Sequence, residues 1–214
     1  MSKVIAVNCS PRKNNNTAQL VAEAARGAEE RGAEVEIVNL YELEPFMGCR
    51  SCFACKTEAN LGKCVFKDGL TDLLAKIREA DGLILGTPNY FGRPTAGFRA
   101  LYERLVFQYL SYKSERPSYN DRSTPVLLIM TSNCPEENYG LYGYNQMLKE
   151  HTRTLDAFIG PVNTLVIGDT QQVTSKQYER FGWTSMNGPA KVARHDKLWD
   201  KELARAYDAG VALV

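Results

Sequence analysis

Five short apolar runs, each followed by a helical pattern, constrain this chain more than any other feature of its sequence. Residues 3–8 (Lys-Val-Ile-Ala-Val-Asn) form a β-branched run, and residues 34–40 alternate apolar and polar side chains. Residues 82–86, 126–130 and 164–167 complete the predicted strands. Between them, residues 17–31 carry a stripe of Leu20, Val21, Ala24, Ala25 and Ala28, stopped by Gly32. A second helix opens after Asp68, a good cap, with Leu70, Leu73, Leu74 and Ile77 on one face. Three more helices are predicted over residues 98–112, 145–158 and 196–212, the last with Trp199, Leu203, Tyr207 and Val211 as a packing stripe.

Strands apolar on both faces and alternating with helices need a parallel sheet covered on both sides. Right-handed crossovers then predict an α/β fold, a doubly wound five-stranded parallel sheet of order 2-1-3-4-5. A Cys-rich insertion, residues 45–66, follows the second strand, and residues 175–195 are expected to be an irregular excursion. At 214 residues the chain is expected to form a single domain, 1–214. The net charge is +1, which gives no basis for a nucleic-acid partner, and no apolar run is long enough to span a membrane. The first strand begins almost at the N-terminus, leaving no room for a secretory leader, so a cytoplasmic location with reduced thiols is expected.

In such a sheet, ligands bind at the loops beyond the carboxyl ends of the strands. After the first strand the chain reads Asn8-Cys9-Ser10-Pro11-Arg12-Lys13-Asn14-Asn15-Asn16-Thr17 and enters a helix directly. Hydroxyls, amides, cations and a helix N-terminus together suit a phosphate, although a polar turn that merely caps the helix has the same composition. Neither the dinucleotide nor the Walker glycine pattern is present. After the third strand comes Gly86-Thr87-Pro88-Asn89-Tyr90-Phe91-Gly92-Arg93-Pro94. Its prolines and glycines fix a sharp path beside the first strand, against which a planar ring can lie. Tyr90 and Phe91 can equally be core aromatics beneath a helix start.

Ser-Pro-Arg-Lys-x-x-Asn-Thr after the first strand, with Gly-Thr-Pro-x-Tyr-Phe-Gly after the third, resembles the NADPH-dependent FMN reductase family of flavodoxin-like proteins. The resemblance covers roughly the first two-thirds of the chain. It implies FMN bound without a covalent link, the phosphate held by Ser10, Arg12, Asn16 and Thr17. The ring would lie against Pro88, Asn89, Tyr90, Phe91 and Gly92. The family usually has glycine at Cys9 and commonly at Asn15; asparagine tolerates left-handed backbone and so can make that turn. A third family loop is expected at Thr131-Ser132-Asn133-Cys134, without residue-level assignments. Family members commonly form homodimers or homotetramers with the flavin near an interface.

The insertion contains Cys49, Cys52, Cys55 and Cys64, spaced Cys-x2-Cys-x2-Cys-x8-Cys. This resembles the iron–sulfur flavoprotein branch of the family, with the four cysteines as ligands of a [4Fe–4S] cluster. The compact triple suits a cubane better than zinc, which usually takes two separated knuckles. The last gap is longer than the iron–sulfur pattern usually has, and cluster-free members carry cysteines here too, so reduced thiols and, more distantly, zinc stay open. The implied activity moves electrons between NAD(P)H or a redox-protein donor and a small-molecule or protein acceptor. A flavodoxin-like carrier without turnover is the alternative, and a thiol-based redox sensor a weaker third.

No Ser-His-Asp order or paired carboxylates appear, and no catalytic side chain is assigned, consistent with chemistry carried by a cofactor. His151 and His195 are expected at the surface. Tyr139, Tyr142 and Tyr144 either wall the flavin or fill a loop. Arg93 and Arg99 are candidates for a phosphate of NAD(P)H or for solvated surface.

Overall fold

The computed structural model describes residues 1–214. Its main sheet contains β1 (Lys3–Asn8), β2 (Glu34–Asn39), β3 (Gly82–Tyr90), β7 (Val126–Thr131) and β8 (Val162–Ile167). Their order is β2-β1-β3-β7-β8, all parallel, which is the predicted 2-1-3-4-5 topology. The remaining strands are β4 (Arg93–Pro94), β5 (Leu110–Lys113) and β6 (Arg116–Ser118). The helices are α1 (Asn16–Glu30), α2 (Thr71–Glu79), α3 (Ala96–Tyr109), α4 (Tyr144–Phe158), α5 (Ser175–Phe181) and α6 (Gly188–Val211).

Alternation along the strands divides the core into two layers. Val4, Ala6, Ile84, Leu127 and Ile129 face α1 and α6, packing on Leu20, Val21, Ala24 and Trp199. Ile5, Val7, Leu83, Leu85 and Leu128 face α2, α3 and α4, meeting Leu73, Ile77, Phe98, Leu101 and Leu155. The α6 stripe is buried or half-buried as expected. Close approach of α6 to α1 depends on glycine: a Cβ on Gly210 would stand 1.9 Å from the Ala24 carbonyl oxygen. No helix is long and apolar enough to cross a membrane.

Three expectations change. The helix predicted over residues 98–112 is α3 and ends at Tyr109, because the chain turns into the β5–β6 hairpin with Tyr112 in the left-handed region (φ 61). Residues 175–195 are not irregular: they hold α5, closed by Gly182 (φ 58), and the first two turns of α6. Asn187 caps α6 by accepting from the Ala190 N–H, and Pro189 sits in its first turn, where no N–H is needed. Finally, Asn15 is extended (φ −104, ψ −173), so that turn does not use left-handed backbone.

Candidate functional site: two joined cavities at the sheet edge and a thiol cavity

The loop after β1 is pinned from three sides. The Cys9 N–H donates to the Gly86 carbonyl (2.7 Å), Thr95 Oγ1 donates to the Cys9 carbonyl (2.8 Å), and the Ser10 N–H donates to Asn8 Oδ1 (3.1 Å). Burial pushes the Cys9 thiol far up, so it stays protonated as a small filler. A Cβ on Gly86 would stand 2.2 Å from Val21 Cγ2, so glycine there lets α1 start directly over β3. The Asn15 side chain does not cap α1. Its first-turn N–H groups therefore open onto a pocket of about 60 Å³.

That pocket is lined by Ser10, Arg12, Asn16, Thr17, Pro88, Asn89 and Tyr90, so seven of the nine residues expected at FMN meet in it. Asn16 Nδ2 donates to the Gln171 carbonyl (2.8 Å) and Arg12 Nη1 to that of Gln172 (2.5 Å), tying the loop to the chain beyond β8. The rest of the lining comes from Asn15 and from Thr131, Ser132, Asn133, Thr170 and Gln172, at or beyond the carboxyl ends of β7 and β8. Sequence reading located the Thr131–Cys134 loop without assigning residues and missed Thr170 and Gln172. Their position just past a strand end was the available signal.

The loop after β3 is a hairpin. β3 runs on to Tyr90 and returns through β4, pairing Asn89 with Pro94 and Tyr90 with Arg93. Its two turn residues, Phe91 (φ 53) and Gly92 (φ 79), both have positive φ, as two-residue hairpins require. Phenylalanine is a strained choice there, and its side chain is fully exposed. Phe91 lines a cleft of about 680 Å³ with Asn89, Tyr90, Cys134, Tyr142 and Tyr144. Gly92 lines neither cavity; it makes the turn, its N–H held by Asn89 Oδ1 at 2.8 Å.

Asn89 lines both cavities, as do Tyr90, Ser132 and Asn133, so the two spaces are joined. The Asn89 Nδ2 group is buried at this junction with no partner. An unsatisfied buried donor costs about 1–3 kcal/mol, so this amide is one that an acceptor in the cleft would relieve. On the far wall, Lys191 Nζ donates to the Asn133 carbonyl (2.6 Å) and pairs with Asp169, which closes α6 onto the β7 loop.

The tyrosines divide. Tyr139 is buried, donates to Ser132 Oγ (2.7 Å), and is pushed up to about 12 by burial, whereas Tyr142 and Tyr144 line the cleft. Neither Arg93 nor Arg99 lines it; Arg93 Nη1 bonds the Gly92 carbonyl (2.9 Å), and Arg99 reaches His151 and Glu103. His151 is not at the surface: Phe98 and Tyr102 of α3 cover its ring, and its Nδ1 bonds the Met147 carbonyl (2.8 Å). His195 is half-buried, stacked on Trp199 at a centroid distance of 4.9 Å.

Cys49, Cys52, Cys55 and Cys64 all line one small cavity under α3, with Phe66, Arg104, Phe107 and Gln108. Two non-glycine left-handed residues, Ser51 (φ 53) and Phe53 (φ 58), flank Cys52, which is exposed at the mouth of this cavity, while Cys55 is buried. The loop is fastened to α3 by Lys56 on the Phe107 carbonyl, by the Cys64 N–H on Gln108 Oε1 (3.1 Å), and by Asp68 on Arg104 (2.5 Å). Burial pushes the Cys55 thiol up, and Lys56 opposes it. No three of the thiols or other ligating side chains form a group that could hold a single metal ion in the arrangement seen. The four-thiol lining fits a thiolate-ligated group in donor type and number.

A profile of the NADPH-dependent FMN reductase family matches residues 2–171. An iron–sulfur flavoprotein of Methanocaldococcus jannaschii is 43% identical over 104 residues, 48% of this chain and 51% of the relative. One from Methanosarcina thermophila is 34% identical over 104 residues, 49% and 52% of the two chains. The chain spans about half the length of the curated relatives it matches. The solved NAD(P)H:quinone oxidoreductase of Methanothermobacter marburgensis superposes with TM-score 0.68 at 16% identity, over 100% of this chain and 99% of that one, a likeness of fold. With the flavodoxin-like sheet and both family loops at its carboxyl edge, the chain belongs to the NADPH-dependent FMN reductase family.

Proposed function

We propose that this chain is a single FMN-binding domain acting as an oxidoreductase. Electrons pass from NAD(P)H or a reduced carrier to a flavin, a quinone or a redox protein. The observation that carries the reading is the Asn89 amide, buried without a partner where the phosphate-sized pocket meets the ring-sized cleft. In this reading Ser10, Arg12, Asn16, Thr17 and the first-turn N–H groups of α1 hold the phosphate. Tyr90 and Phe91 form the wall for the ring, Pro88 and Gly92 fix the hairpin that presents them, and Asn89 Nδ2 donates to its polar edge. FMN supplies hydride acceptance and electron release; the chain's residues bind it, orient it and exclude water.

Cys49, Cys52, Cys55 and Cys64 are proposed as ligands of a [4Fe–4S] cluster, which supplies one-electron transfer. The shared cavity and the names of the relatives support this. The exposed side chains of Tyr90, Phe91 and Tyr142 at the cleft support a homodimer or homotetramer; a cytoplasmic setting is part of the same proposal.

The test is purification without oxygen, followed by absorption spectroscopy, iron and sulfide assay, and steady-state NADH and NADPH oxidation with FMN, quinone or oxygen. Flavin bands with iron, sulfide and turnover are expected. Absence of flavin overturns the whole reading, and flavin without iron overturns the cluster alone. Flavin without turnover leaves the electron carrier.

A further inference from the structure

Three buried side-chain nitrogens in the chain lack a hydrogen-bond partner. One is Asn89 Nδ2; the other two, Arg104 Nε and Gln108 Nε2, belong to residues lining the cavity of the four cysteines. Both lie on one face of α3, four residues apart. Arg104 is 1% exposed and Gln108 3%, so bulk water reaches neither.

Their orientations are dictated by other partners. Gln108 Oε1 accepts from the Cys64 N–H at 3.1 Å. Reversing that amide would set N–H against N–H, so Nε2 is the group left without a partner. The Arg104 guanidinium is fixed by Nη1 on Asp68 (2.5 Å) and Nη2 on the Phe66 carbonyl (2.8 Å), leaving Nε over. Two buried donors left unpaired on residues of one cavity mark a place where acceptors belong. The thiol loop that faces them holds strained left-handed backbone at Ser51 and Phe53, as ligand-gripping segments do.

We infer that Gln108 Nε2 and Arg104 Nε are positioning donors to the sulfur atoms of the centre held by Cys49, Cys52, Cys55 and Cys64. This rests on the cluster reading above. Reduction adds negative charge to the sulfurs, so N–H donors aimed at them stabilise the reduced form and raise the reduction potential. Neither residue would be a ligand, and neither is needed to recognise FMN.

Gln108→Glu keeps an oxygen for the Cys64 N–H and puts a carboxylate oxygen in place of the free donor, so Gln108→Met is made beside it to remove the donor without adding charge. Wild type and both variants are reconstituted without oxygen with ferrous iron and sulfide, assayed for both, and titrated with redox dyes while the reduced cluster is followed by electron paramagnetic resonance. Equal iron and sulfide with a more negative potential in both variants is the expected result. In the unsubstituted protein carrying 15N in its glutamine side chains, the reduced cluster should couple to an amide nitrogen and to a proton that exchanges in heavy water. This second measurement decides the matter where the variants fail to fold or to load iron. Equal loading with an unshifted potential in Gln108→Met, or a missing coupling, overturns the inference while leaving the cluster in place. Absence of iron and sulfide from wild type overturns the cluster reading and this inference with it.

Discussion

The Thr17 hydroxyl lies 2.8 Å from the Thr131 hydroxyl, joining the first turn of α1 to the last residue of β7 across the floor of the phosphate-sized pocket. Two hydroxyls bonded to each other use one of their two protons, leaving one O–H for a ligand oxygen. Thr17→Val strands the buried Thr131 hydroxyl and should cost about 1–3 kcal/mol in urea unfolding. It should also weaken FMN about tenfold in a flavin-fluorescence titration. The double variant Thr17→Val/Thr131→Val should regain most of the stability and none of the affinity.

Asn89 is tested through binding. Asn89→Asp keeps the oxygen that holds the Gly92 N–H and puts a carboxylate oxygen in place of the unpaired donor. The apoprotein should unfold at a lower denaturant midpoint, because that oxygen is buried without a partner, and FMN affinity in the folded protein should fall by about tenfold or more. A variant with unchanged affinity would contradict the role given to this amide.

The buried pair Arg104–Asp68 anchors the thiol loop to α3. Arg104→Met leaves a carboxylate without its cation, and such breaks cost about 3–5 kcal/mol. Adding Asp68→Leu should restore much of the loss. Burial by itself would raise the Asp68 carboxyl, but Arg104 and the Met47 and Leu70 N–H groups outweigh it and hold it below its ordinary 3.8. With the folded value below the unfolded one, this stabilisation is complete above pH 3.8 and is lost as pH falls through the folded value. Urea midpoints measured across acid pH should show that loss in wild type and not in the double variant.

His151 acts in a milder pH range. Burial holds its imidazole below the ordinary 6.5, with Arg99 and Arg93 adding repulsion against the Met147 carbonyl, which favours the charged form. The unfolded chain therefore binds a proton first, so stability is complete above pH 6.5 and falls as pH drops toward the folded value. Replacing His151 with Gln should flatten the urea midpoint against pH in that window.

Much of the fold was legible because its signals are local. The run Lys3–Asn8 and the stripe from Leu20 to Ala28 announce strand and helix through periods of two and 3.6 residues. The two loops at the sheet's carboxyl edge were legible for the same reason, since a polar turn before a helix and a Pro/Gly-ruled path after a strand are written in adjacent residues; that such loops serve a flavin was implied by the family resemblance. The start of α6 was missed: Asn187-Gly188-Pro189 carries a cap signal, but the weak apolar period after it hid the first two turns of the helix. The end of α3 was not, since Leu110 and Ser111 continue the helical pattern and only pairing with residues 116–118 turns them into a strand.

His151, with its polar neighbours on α4, reads as surface; Phe98 and Tyr102, roughly fifty residues earlier, bury it. Gln108 shows the division most sharply. Nothing around it in the sequence distinguishes it from an exposed helix glutamine. Its amide is turned by the Cys64 N–H, 44 residues away, once α3 packs on the thiol loop. Element type and strand order came from neighbouring residues and the order of the elements, because backbone preference and hydrophobic period act over a few positions, whereas the kind of ligand came from the resemblance of two loops to a family. Which side chains share a cavity, and which donor is left over in it, came from contacts between distant segments, because burial and hydrogen-bond satisfaction exist only once those segments meet.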